Sequence, residues 1–119
     1  MKNSVFVLGK LPALNDYIDA CRANKYRGSR LKKSTEQMIY VQTLELPKIT
    51  KRVKFKFTWF EETKKRDPDN VAFAKKFILD ALQQNGKLQN DNATFVHGFE
   101  DHFVYGDGQG VLIEIEEVD

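Results

Sequence analysis

The residues best suited to chemistry in this sequence are carboxylates. In the run Arg66-Asp67-Pro68-Asp69-Asn70 two aspartates stand two positions apart, just ahead of a strongly helical pattern. An extended turn there lets both side chains converge on one point in space. Hard divalent cations such as Mg²⁺ take oxygen ligands, usually one or two carboxylates completed by water and substrate phosphate. The same pair also suits an ordinary helix start, because Asp is a good N-cap and its charge favours the positive end of a helix. A third acid, Asp91, lies in the polar turn Gln89-Asn90-Asp91-Asn92 that follows the helical pattern and Gly86. Three acids gathered at one end of a helix beside a basic surface describe a phosphodiester-cleaving site, where the metal orients water for in-line attack and supports the departing oxyanion.

The basic surface is legible too. Net charge is only +2, yet through Arg66 lysine and arginine far outnumber the acids, and the remainder is acidic. Arg22, Lys25, Arg27, Arg30, Lys32 and Lys33, with Lys64, Lys65 and Arg66 immediately before the aspartates, are the cations expected to meet nucleic-acid phosphates. On charge alone a solvated basic face without a partner fits equally well.

Positioning these groups falls to a few elements. Ser4–Leu8 is a short apolar run ending at Gly9, expected as a first strand. Leu11–Tyr17 is expected as a loop, and Ala20–Lys33, with six cations around a central Gly28, as a mobile basic arm. Ser34–Glu36 is the expected start of a helix running to about Leu46, stopped by Pro47. Arg52–Glu61 alternates, with Val53, Phe55, Phe57 and Trp59 on one face and Lys54, Lys56 and Thr58 on the other, which predicts a strand whose aromatic face is core. Asp69–Asn85 is the strongest helix, closed by Gly86. Ala93–Tyr105 is expected as a strand with a bulge at Gly98, Gly106–Gly110 as a hairpin turn, and Val111–Val118 as a last strand. These elements predict an α+β fold: one small domain over residues 1–119, with a mixed or largely antiparallel sheet packed by two main helices.

At 119 residues the chain supports one core, and its 41% hydrophobic and 30% charged composition excludes extended disorder. No apolar run approaches the roughly 20 residues of a membrane span, and no signal peptide is read at the start, so a cytoplasmic protein without a membrane partner is expected. Cys21 is the sole cysteine, which excludes an intrachain disulfide and a cysteine zinc site. His97, His102, Glu114, Glu116 and Glu117 are expected on wet strand faces.

The run RDPDNVAFAKKFILDALQQNGKLQND resembles the signature of the RusA family of Holliday junction resolvases: an Asp-x-Asp-Asn, a lysine-bearing helix ending in Asp-Ala-Leu, a Gly and an acidic turn. The segments LPALNDYIDACRANKYRGSRLKK and GVLIEIEEV resemble the N-terminal part and last strand of phage and prophage members, so the likeness covers nearly the whole chain. It implies a homodimeric endonuclease, dependent on Mg²⁺ with Mn²⁺ able to substitute, that binds four-way DNA junctions and nicks two opposing strands. Asp67, Asp69 and Asp91 match its metal ligands. Phe73 stands at the spacing of the family's helix lysine; the helix is longer by three residues, and aligning back from Asp80-Ala81-Leu82 brings Lys76 onto that lysine. Lys76 is then either a catalytic cation or a surface partner of Asp80 at i,i+4. Asn70 is read as ordering the turn around the ligands, and Lys75 as surface. The acidic turn reads Asn-Asp where many relatives read Asp-Asp. The competing functions are a non-catalytic nucleic-acid-binding module and a nuclease for other branched DNA.

Overall fold

The two alternating segments form the middle of a four-stranded sheet. In the computed structural model, which describes residues 3–118, the strands are β1 (Ser4–Leu8), β2 (Val53–Glu61), β3 (Val96–Tyr105) and β4 (Gly110–Glu117), and the helices are α1 (Leu14–Ala23), α2 (Lys25–Gln42), α3 (Pro68–Ala72) and α4 (Lys75–Gln84). Strand order is β1-β4-β2-β3, with β4 antiparallel to both neighbours and β3 parallel to β2. The fold is therefore α+β with a mixed sheet. Val53, Phe55, Phe57 and Trp59 from β2 and Val111, Ile113 and Ile115 from β4 point inward, where α2 and α4 add Ile39, Phe77, Ile78, Ala81 and Leu82. Burying one such side chain contributes about 1.5–3 kcal/mol, which makes this single cluster the main source of stability.

Several expected elements differ. Gly106–Gly110 does not close a hairpin: β3 pairs with one side of β2 in parallel, so the chain turns back and lays β4 along the other side, between β2 and β1. Gly110 sits opposite Leu8, where a Cβ would lie 2.6 Å from the Val7 carbonyl oxygen. The bulge at Gly98 is present, since Val53 faces Val96 and Lys54 faces Gly98, leaving His97 as the extra residue.

The expected loop and basic arm are a helical hairpin instead. Asp16 starts α1 by accepting from the Ala13 N–H at 2.8 Å, and Asn24 caps α2 by accepting from the Arg27 N–H at 2.8 Å. The helix expected from Ser34 thus begins nine residues earlier, at Lys25, and Ser34 and Thr35 donate back to the Leu31 carbonyl rather than capping. Gly28, expected as a break, lies inside α2 where α1 crosses it. The predicted Asp69–Asn85 helix is split at Phe73–Ala74, where the Ala74 and Lys76 N–H groups donate to the carbonyls three residues back, Val71 and Phe73.

The α1–α2 contact yields a stability test. A Cβ on Gly28 would lie 2.5 Å from Cys21 Sγ and 3.2 Å from Cys21 Cα. Gly28→Ala should therefore cost about 1–3 kcal/mol through overpacking, despite alanine's better helix propensity. Urea unfolding should show Cys21→Ala recovering part of that loss in the double variant; an unchanged or stabilised single variant would remove the close contact from the account.

Candidate active-site groove

Asp67, in extended conformation, is the N-cap residue of α3, Pro68 is its first residue, and Asp69 lies in its first turn. Asp69 Oδ1 accepts from the Asn70 N–H at 3.0 Å. Asp69 lines an open groove with Lys75 and Lys76 from the start of α4 and Asp101 from β3; Leu14, Pro68, Ala72, Phe73 and Phe103 form its apolar walls. Phe73, at the spacing of the family lysine, packs against Tyr17 and Phe77 with ring centroids 6.0 and 5.6 Å away. The two lysines thus enter after the helix break.

Lys76 Nζ lies 3.2 Å from Asp80 Oδ1 and 3.3 Å from Asp91 Oδ2. The i,i+4 pair is formed, and Lys76 also ties the groove to the turn carrying Asp91. Among the described residues, no three Asp, Glu, His or Cys side chains stand together as a group able to hold a metal ion. Asp67, Asp69 and Asp91 are accordingly not gathered into a three-acid cage; Asp91 meets a lysine. Mg²⁺ needs only one or two carboxylates when water and phosphate complete its shell; Asp69 lines the groove, while Asp67, just before α3, is not among its lining residues.

Two members of the groove were not singled out in the sequence. Lys75, read as surface, donates to Asp101 Oδ2 at 2.6 Å, while Asp101 Oδ1 accepts from Trp59 Nε1 at 2.8 Å. The Lys75 ammonium lies 4.8 Å from the Phe99 ring centroid and 5.7 Å from that of Phe57. The signal for Asp101 was an acid on the apolar side of a strand, between Phe99 and Phe103.

Arg66 leaves the set of DNA-binding cations. Its guanidinium donates from Nε and Nη2 to the two oxygens of buried Glu61, at 2.7 and 2.8 Å, and from Nη1 to the Leu11 carbonyl at 2.9 Å, with Asp16 3.5 Å away. A planar fork committed this way has little left for phosphate. Lys32 is also engaged, 3.2 Å from Glu36 and 3.7 Å from Asp80, and its hydrogen bond to Glu36 raises its pKa. Arg27 and Arg30 line an open cleft on the helical hairpin with Asp16, Asp19 and Ser34. Arg22, Lys25 and Lys33 lie along the same hairpin. Lys64 and Lys65 are exposed ahead of α3, with Lys64 5.7 Å from the Tyr105 ring centroid. His102 pairs with Glu100 at 2.7 Å on the outer sheet face, and hydrogen bonds from His102 and Lys54 hold that carboxyl below its usual range.

Neither known family models nor curated proteins match this chain.

Two outcomes test this geometry. Arg66→Met strands the buried Glu61 carboxylate, and a loss of about 3–5 kcal/mol is expected in chemical denaturation; a loss below about 1 kcal/mol would show the fork to be dispensable. For Lys76, the hydrogen bond to Asp80 raises the pKa, with Asp80's charge and Asp91 adding to it against burial. Since the folded value exceeds the unfolded lysine value of about 10.4, this pairing stabilises the fold fully below that pH and is lost as pH rises through the folded value. Side-chain NMR titration should find Lys76 deprotonating later than exposed lysines, and earlier once Asp80→Asn is introduced.

Proposed function

We propose that this protein is a Mg²⁺-dependent DNA endonuclease acting on four-way junctions, the activity implied by its resemblance to the RusA family. The observation that supports it most is the groove itself: Asp69 lines it together with Lys75 and Lys76 from the start of α4, and Asp91 is linked through Lys76. A phosphodiester laid there meets two ammonium groups whose positions are set before it arrives. Lys76, held charged by Asp80 and Asp91, stabilises the extra negative charge that develops on the phosphoryl oxygens during in-line displacement. A bound Mg²⁺ would supply Lewis-acid chemistry at the phosphate. Asp67 and Asp69 are the residues that would hold the ion, with Asn70 ordering the turn behind them. Mn²⁺ substitutes on the same oxygen donors.

The helical hairpin carries Arg22, Lys25, Arg27, Arg30 and Lys33 for the DNA backbone, and Lys64 and Lys65 flank the head of α3. A two-fold homodimer would present two grooves to a junction that is itself two-fold symmetric. The setting is the bacterial cytoplasm, in recombination and repair directed by a phage or prophage. No helix among the described residues is long and apolar enough to cross a membrane. The second reading, a DNA-binding module without catalysis, is favoured by one observation: the acids pair with lysines rather than with one another. A nuclease for other branched DNA keeps the groove and changes only what it grips.

Cleavage of a labelled synthetic four-way junction at low salt separates these readings. Paired symmetric nicks that need Mg²⁺ are expected, abolished in Asp69→Asn and reduced about 10²–10³-fold in Lys76→Met, with junction binding retained in both. Tight binding without nicks in Mg²⁺ or Mn²⁺ would establish the binding module, and equal cleavage of flaps or forks would establish the broader nuclease.

A further inference from the structure

We propose that Asp101, itself held by Trp59, is a positioning residue that presents the Lys75 ammonium to a DNA phosphate in the groove. The inference rests on the reading of that groove as a phosphodiester site, and it assigns the phosphate-binding task to a lysine outside the family motif.

A lysine on a flexible stem is ordinarily a poorly placed charge, because its rotamer freedom must be given up on binding. Lys75 has already given it up. Asp101 accepts one of its three donors at 2.6 Å, and the rings of buried Phe57 and of half-exposed Phe99 lie 5.7 and 4.8 Å from the ammonium. The remaining donors are left for the open side, where Asp69 and Lys76 line the same groove. The side chain is 23% exposed, enough for contact with a ligand and little enough to limit screening.

Asp101 is fixed in turn. Its other oxygen accepts from the indole of Trp59, a residue 2% exposed in the core face of β2. This Trp59–Asp101–Lys75 chain runs from the sheet interior to the groove, whereas Lys76 is 55% exposed and shared between two carboxylates. An ion pair placed among aromatic side chains costs desolvation that a purely structural site would avoid with apolar residues. A phosphate arriving at Lys75 takes up its free donors as charge-assisted hydrogen bonds.

Trp59 is the chain's single tryptophan, and its N–H donates to the same carboxylate as Lys75, so its emission reports on the pair. The test titrates a short unbranched DNA duplex, in EDTA and at several salt concentrations, into the wild type, Lys75→Met, Lys75→Arg and Asp101→Asn. Wild-type emission should shift on binding. Lys75→Met should lose the shift and lower the slope of log affinity against log salt by about 0.9, one phosphate contact, with Lys75→Arg restoring the slope. Asp101→Asn should bind DNA but lose the emission shift, and on junctions lower kcat more than it raises KM. A Lys75→Met protein that folds and keeps the wild-type slope and affinity overturns the proposal. If the wild type shows the Lys75-dependent slope yet never nicks a junction, the nuclease reading fails and this one stands; if Lys75→Met nicks junctions as fast as the wild type, the reverse holds.

Discussion

The fork between Arg66 and Glu61 is the constraint on which the site depends. Glu61 ends β2, Arg66 precedes the aspartates, Leu11 lies in the loop before α1, and Asp16 opens that helix. One guanidinium thus ties the end of a central strand, the first helix and the turn that carries Asp67 and Asp69. Gln109, in the turn before β4, donates to both Glu61 and the Phe60 carbonyl, which extends the junction to the last strand. A carboxylate buried like Glu61 is tolerated only with its oxygens satisfied, so the polar network demands that all four segments meet at one place.

From that anchor the charges of the groove follow as pairs. Lys75 meets Asp101 and Lys76 meets Asp80 and Asp91, while behind them Gln84 on α4 donates to Oε1 of buried Glu36 on α2, and Lys32 lies 3.2 Å from its other oxygen. Each of these lysines is oriented by the acids it meets, so its position is set by the fold. Three carboxylates thus surround two ammonium groups, and Asp91 is taken up by Lys76 rather than by Asp67 and Asp69.

Strand alternation was readable because the sheet has one dry face, and β2 and β4 show their burial two residues at a time. The amphipathic stripe of α4, from Phe77 to Leu82, was readable for the same reason. The helical hairpin was not, because Leu14–Gln42 carries polar and basic residues on most of its surface and its formation rests on the Asn24 cap and the Gly28–Cys21 crossing. Strand order was hidden because the partner of β4 is chosen by long-range pairing, not by the glycines that precede it. The split between α3 and α4 falls among good helix formers, and only the packing of Phe73 against Tyr17 and Phe77 accompanies it. Of the site, Asp69 and Lys76 were legible as motif residues, whereas Asp101 and Lys75 acquire meaning only once β3 lies beside β2.

That parallel pairing also sets Asp101 beside Trp59 on the face of the sheet that meets the helices. All four helical segments pack on one side, leaving the other side of the sheet to solvent, a situation sheets with antiparallel pairs support when the exposed face is polar. Here Lys54 stands opposite Glu116 and Lys56 opposite Glu114, with Glu100 and His102 beside them on β3, so the outer face is stabilised by cross-strand pairs of opposite charge. Toward β1 it turns apolar, and Phe6 packs edge-on against Phe60 at 5.6 Å. Charges on the outer face are wet and neutralise one another in the plane of the sheet. In the groove the Lys75–Asp101 pair, 23% exposed on each side chain, sits beside the Phe57 and Phe99 rings, where water screens it less. The sheet therefore separates two sets of ion pairs of similar composition, and the Lys75–Asp101 pair on the helix side is less exposed than the Lys54–Glu100 and Lys56–Glu100 pairs outside.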